Sequence, residues 1–160
     1  MESSIRSLSQ VHERLADLFQ MHQEALLDGD LTRAGELLRE FGTRIRAHIR
    51  HEEDVLMPVY RERVDYGRLG DPAHLLDEHR QIQEQLEQLQ QRVAALRSDD
   101  SRLSRELVAL VEEEWRFKQL LEHHNQREDR TFYPCLDEKT SPEERAVLLE
   151  DAGLTEEKAR

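Results

Sequence analysis

The chain has 160 residues, a formal net charge of −12, 37% hydrophobic and 36% charged residues, and only six Gly and four Pro. That length suits one domain with a real core, and the charge-rich, Gly- and Pro-poor balance predicts long amphipathic helices, an all-α class, over a turn-rich β protein. The acid excess argues against nucleic acid or an anionic membrane as partner; no run nears the roughly 20 apolar residues of a bilayer span, and one cysteine, Cys135, with no basic-then-apolar leader predicts a cytoplasmic protein.

The first helix is predicted over residues 4–28. Leu8, Val11, Leu15, Leu18, Phe19 and Leu26 recur at helical spacing, His12 lies on that stripe, and Gly29 ends it. The second begins near Leu31 and carries Leu38, Phe41, Ile45, Ile49, Val55 and Val59, with Pro58 expected to kink or tighten its last turns. After the loop marked by Gly67 and Gly70, Asp71-Pro72 reads as an N-cap and first helical residue.

The third helix runs to about Arg97 on a stripe of Leu75, His79, Ile82, Leu86, Leu89, Val93 and Leu96, in which one histidine interrupts six apolar residues. The fourth carries Leu103, Leu107, Leu110, Phe117, Leu121, His124 and Glu128 and meets Pro134. Ser141-Pro142-Glu143-Glu144 opens a short fifth helix with a capping-box pattern. Short loops between long helices predict an antiparallel up-down four-helix bundle, one domain over residues 1–153, with a frayed tail over 154–160.

An internal repeat carries the chemistry. Residues 48–58 and 124–134 place His, Glu and Pro in identical register, as His48, Glu52, Pro58 and His124, Glu128, Pro134. His12, Leu15 and Phe19 match His79, Ile82 and Leu86 in the same way. Residues four apart on a helix share a face about 5–6 Å apart, so each His-x-x-x-Glu aims an imidazole and a carboxylate at one point. With one more histidine per half, the set His12, His48, Glu52, His79, His124 and Glu128 suits two divalent metals. A lone histidine on an apolar stripe is ordinarily a hydrogen-bonded core residue. An unpaired carboxylate on such a stripe would cost several kcal/mol, however, and Glu–His hydrogen bonding does not explain the same constellation twice.

These residues, with the endings Glu-Glu-x-x-Leu-x-Pro and Phe-Tyr-Pro and the pair Glu78-His79, resemble the hemerythrin-like, or HHE cation-binding, domain over about residues 5–138. The resemblance implies a non-haem di-iron centre in which Glu52 and Glu128 bridge two iron ions and the four histidines bind terminally. Zinc or manganese would also suit mixed nitrogen and oxygen ligands. Oxygen-carrying members have a fifth histidine where this chain has Leu75, and an aspartate where it has Glu128. His74 is rotated about 140° from His79 and cannot share its face. In this the set looks more like the domains of bacterial iron–sulfur repair proteins and sensors.

Other residues are read as structural. His22 lies about 15 Å along the helix from His12, too far to share its metal, and is expected to pair with Glu114 at the far end of the bundle. His51 and His123 are expected to face solvent, and Cys135 to be a small packing residue. Tyr60, Tyr133 and Trp115 are left open between lining the site and packing the core. The expected function is binding or sensing of dioxygen or nitric oxide; the partners are a small diatomic ligand or peroxide. The alternatives are a di-iron oxidoreductase consuming peroxide or nitric oxide, an iron–sulfur repair or iron-handling protein, and a two-zinc hydrolase. A repair protein would carry an additional N-terminal cysteine-bearing domain, for which His12 leaves no room, and the hydrolase lacks an evident acid or base.

Overall fold

The computed structural model describes residues 2–154, which are helical, with no strand among them. A 3₁₀ turn, Ile5–Leu8, leads into α1 (Ser9–Leu27); α2 (Leu31–His51) passes through a π-helical turn, Glu52–Leu56, into α3 (Met57–Arg63). After a 3₁₀ turn, Arg68–Gly70, comes α4 (Pro72–Ala95). Then α5 (Leu103–Arg127) passes through a second π turn, Glu128–Phe132, into α6 (Tyr133–Lys139), and α7 (Pro142–Leu148) follows. The two π turns make α2–α3 and α5–α6 continuous rods, so the bundle consists of five helical rods. The tail expected to fray lies, beyond Leu154, outside the described residues.

Local chemistry explains the boundaries. Asp30 accepts from the Arg33 N–H and Asp71 from the Ala73 N–H, each meeting a donor that the first helical turn leaves orphaned. Ser141 and Glu144 form the complete capping box. Gly29 ends α1 at φ +76°, a left-handed conformation that costs a residue without Cβ nothing. The start of the chain is pinned to α6, where Asp137 accepts from the Ile5 N–H at 2.6 Å and the Ser4 hydroxyl at 2.5 Å.

Pro58, expected to kink or tighten its helix, does not tighten it, and Pro134 follows a turn of the same kind. A proline inside a helix lacks the N–H for its i−4 bond, and its ring clashes with the i−4 carbonyl. Instead of tightening, the chain widens one turn: the Met57 N–H reaches Glu52 O and the Tyr133 N–H reaches Glu128 O. Such wide turns relieve the clash and re-aim the side chains they contain. Val55, expected in the core, lies in the wide turn and is 37% exposed, while Leu56 is fully buried.

Helix α1 packs on α2 and α5, and α4 packs on the same two helices from the other side, closing a ring of contacts. Phe19, Phe41 and Phe117 interlock at its centre, with ring centroids 5.1 to 6.0 Å apart. Beyond them His22 and Glu114, both fully buried, form the expected pair. No helix among the described residues is long and apolar enough to cross a membrane.

Candidate metal centre

Glu52 and Glu128 begin the two π turns, and both are fully buried. His48 and His124 stand one turn earlier on the same rods, and α1 and α4 bring in His12 and His79. All six side chains predicted as ligands converge, in two overlapping groups that could each hold a metal ion. His12, His48, Glu52 and Glu128 form one, and Glu52, His79, His124 and Glu128 the other, with candidate ligand atoms within 4.8 Å of one another.

The imidazoles share one orientation. Nε2 of His12 and of His124 each lie 3.1 Å from Glu128 Oε1, His48 Nε2 lies 3.3 Å from Glu52 Oε1, and His79 Nε2 lies 3.2 Å from Glu52 Oε2. His12 Nε2 and His48 Nε2 face each other at 3.1 Å. Despite this proximity, Glu52 Oε2, His79 Nε2 and both oxygens of Glu128 have no aligned hydrogen-bond partner among the described residues. Buried carboxylate oxygens left this way are costly unless a cation meets them. Two charged acids shared among four ring nitrogens therefore fit a pair of metal ions by their donor chemistry.

Three histidines turn Nδ1 to a further carboxylate: His12 lies 3.3 Å from Asp129, His79 3.0 Å from Glu53 and His124 2.8 Å from Glu78. Outer carboxylates of this kind fix the orientation of a metal-binding imidazole and raise its basicity. Glu78 is itself held by Arg127 Nε at 2.9 Å. The Tyr133 hydroxyl completes the cluster, donating to Glu52 Oε1 at 2.5 Å and lying 3.1 Å from His12 Nε2. Sequence reasoning did not single out Glu53, Glu78 or Asp129 for this role. Their signal is adjacency: each directly follows or precedes a candidate ligand.

Without metal, the cluster holds protons. Burial is the largest influence on His12 and opposes its protonation, but Asp129, Glu128 and Glu52 outweigh it and raise the pKa to about 10. His79 rises to about 11 and His124 to about 9 against the same burial penalty, through Glu128 and Glu52 and through Glu128 and Glu78 respectively. His48 is lowered, because burial there exceeds the pull of the carboxylates. Burial also works against ionisation of Glu128, yet the surrounding histidines hold its pKa well below the usual carboxylate range.

The remaining sequence candidates stand elsewhere. His22 belongs to the buried pair with Glu114, and His123 and His74 are exposed. His51, expected to face solvent, is half-buried, with Nε2 2.8 Å from the Leu148 carbonyl at the end of α7. The last residue of α7 reaches it through this contact. Tyr60 donates to the Gly70 carbonyl away from the cluster, Trp115 is 61% exposed, and Cys135 is half-buried, with burial raising its thiol pKa.

A helical bundle whose core holds two overlapping His/Glu clusters defines a candidate metal-binding protein. The family model of the hemerythrin HHE cation-binding domain matches residues 3–136, and the chain belongs to that family. Comparisons with curated proteins and with solved structures found no match.

Proposed function

We propose that this is a cytoplasmic di-iron protein that binds or senses dioxygen or nitric oxide. Residues 1–153 form one antiparallel up-down four-helix domain with a short fifth helix. His12, His48, Glu52 and Glu128 would hold one metal ion, and Glu52, His79, His124 and Glu128 the other. Two iron ions held there would supply redox chemistry and open coordination positions for a small diatomic ligand. The observation that carries this reading is the pair of fully buried glutamates common to both clusters, three of whose four oxygens have no aligned hydrogen-bond partner among the described residues.

The chain's own residues prepare the site. Glu53 and Glu78 hold His79 and His124 with Nε2 inward, and Asp129 lies 3.3 Å from His12 Nδ1. Tyr133 fixes the Glu52 carboxylate through its hydroxyl. Phe41 and Phe117, fully buried, make the side toward the bundle centre apolar. Leu75, 2% exposed, occupies with hydrocarbon the place where oxygen carriers have a further histidine. The absent donor favours exchange and oxidation over storage of dioxygen.

The test is metal analysis of protein from iron-supplied cells, with visible spectra after anaerobic reduction and then exposure to oxygen or nitric oxide. The expected result is about two irons per chain and a ligand-dependent spectral change. Two zincs without iron, or no spectral response of an iron-loaded sample, would count against the reading; sustained consumption of peroxide would make the protein an oxidoreductase.

A further inference from the structure

A cleft of about 660 Å³ opens between α1 and α5, bounded at its inner end by His12, His48 and His124 and at its outer end by Trp115 and Lys118. Nine residues at about 1.5 Å each place Trp115 roughly 14 Å along α5 from His124. The volume is on the order of twenty times the ~30 Å³ share of a water molecule, so it greatly exceeds the needs of a diatomic gas. It falls instead in the roughly 300–1,000 Å³ range of sites for organic ligands.

The lining sorts by depth. Phe19, Phe41, Ile45 and Ile82, all buried, supply an apolar floor, with half-buried Leu121 beside them. At the rim Glu13, Asp17 and Glu122 are exposed, and Lys118 is the only Lys or Arg in the lining. Lys118 Nζ already donates to Gln23 Oε1 at 3.2 Å. Together with the chain's charge of −12, this rim repels anions and attracts cations. Trp115 adds an exposed indole, the aromatic face that attracts an organic ammonium most strongly.

The geometry points to a binding site for an apolar organic cation, an alkyl or aryl amine or quaternary ammonium. Its hydrocarbon body lies on the floor of the cleft, and its charged head sits at the rim by Asp17 and Trp115, with Glu13 and Glu122 extending the acidic edge toward the histidines. A fatty-acid-like anion would bring its carboxylate into the same acidic rim and is disfavoured. The inner end of the cleft meets three histidines of the cluster, so an occupant also narrows the approach to it from this side. Only this last consequence rests on the metal-centre reading.

Trp115 is the only tryptophan of the chain and reports occupancy directly. The test titrates metal-loaded and chelator-treated protein with decyltrimethylammonium, 1-decanol and decanoate below their micelle concentrations. Trp115 fluorescence is followed, with metal content and helical circular dichroism measured on the same samples. A saturable one-to-one change with the ammonium is expected, at least tenfold tighter than with decanol or decanoate. Ala16→Phe, which places a ring in the cleft from exposed Ala16 on α1, should weaken it tenfold or more. Asp17→Lys with Glu122→Lys should reverse the preference toward decanoate, and decides the matter where Ala16→Phe does not fold. No saturation, equal or tighter binding of decanol or decanoate, or indifference to both variants overturns the proposal. Amine binding by protein that takes up no metal when iron is supplied would overturn only the metal reading, and metal uptake without amine binding only this one.

Discussion

The Tyr133 hydroxyl donates to Glu52 Oε1 at 2.5 Å, joining the residue that opens α6 to the one that opens the π turn after α2. Both are fully buried, and burial, together with the nearby Glu128 and Glu52 charges, pushes the phenol pKa well above its ordinary value. The hydroxyl therefore stays a donor across the working pH range. Its partner carboxylate also has the His48 and His79 rings at 3.3 and 3.2 Å, but the Tyr133 hydroxyl is its aligned donor among the described residues.

Tyr133→Phe should accordingly destabilise the metal-free protein by about 1–3 kcal/mol, the cost of leaving a buried acceptor unmet. The loaded protein should lose less, because Glu52 then has a cation to bind. Paired denaturant titrations with and without chelator measure the difference. An equal loss in both forms would show that the hydrogen bond does not compensate for a missing cation.

Glu52→Ala and Glu128→Ala should each lower metal content below half of the unaltered protein's, since both clusters share both carboxylates. His51→Ala should keep its metal but loosen α7, because it removes the contact to the Leu148 carbonyl. Metal analysis and proteolysis of the C-terminal segment separate the two effects. Loss of metal from a folded His51→Ala protein would contradict this placement.

The pH response follows from the protonated cluster. His12, His79 and His124 have folded-state pKa values of about 10, 11 and 9, above the ordinary 6.5. A raised histidine contributes stability fully below 6.5 and loses it as pH climbs through the folded value. For Glu128, depressed below 4.5, the contribution is present above 4.5 and is lost as pH falls through the folded value. Metal-free protein should therefore lose thermal stability steadily from pH 7 to 10.5. Loaded protein, its imidazoles neutral and coordinated, should change little, and metal binding at pH 7 should release protons. Melting curves with and without chelator, and calorimetry in buffers of different ionisation heat, test both statements. A flat alkaline profile for the metal-free form would mean that the cluster is not protonated.

Helix-period patterning and the twice-repeated His-x-x-x-Glu made the all-helical class and the convergence of His12, His48, Glu52, His79, His124 and Glu128 legible in the sequence, because both depend on spacing within a helix. The π turns were not legible: a proline announces disruption, but whether a turn tightens or widens depends on what the rod packs against. The roles of Glu53, Glu78 and Asp129 were hidden for a related reason. Each lies beside a candidate ligand in sequence, but its carboxylate reaches a histidine of another helix, which only the packed bundle specifies.

His22 and Glu114 form a second buried titratable pair, remote from the cluster and with a different signature. His22 Nδ1 lies 2.7 Å from the Ala34 carbonyl, and its other nitrogen meets Glu114 Oε1. Gln23 Nε2 donates to the second Glu114 oxygen at 3.1 Å, and the pair is thus fully partnered without a cation. Removing one member leaves the other buried without its partner, so His22→Ala should cost about 3–5 kcal/mol. Glu114→Gln should cost less, about 1–3 kcal/mol, because the amide can donate to the neutral ring. Replacing both, as His22→Phe with Glu114→Leu, should restore most of the stability lost by His22→Ala, since well-packed hydrocarbon often replaces a buried pair without loss. Urea unfolding of the three variants, with metal content measured on each, decides the matter. Metal content should be unchanged throughout; a folded His22→Ala protein that fails to load metal would tie this pair to the metal centre and defeat the assignment.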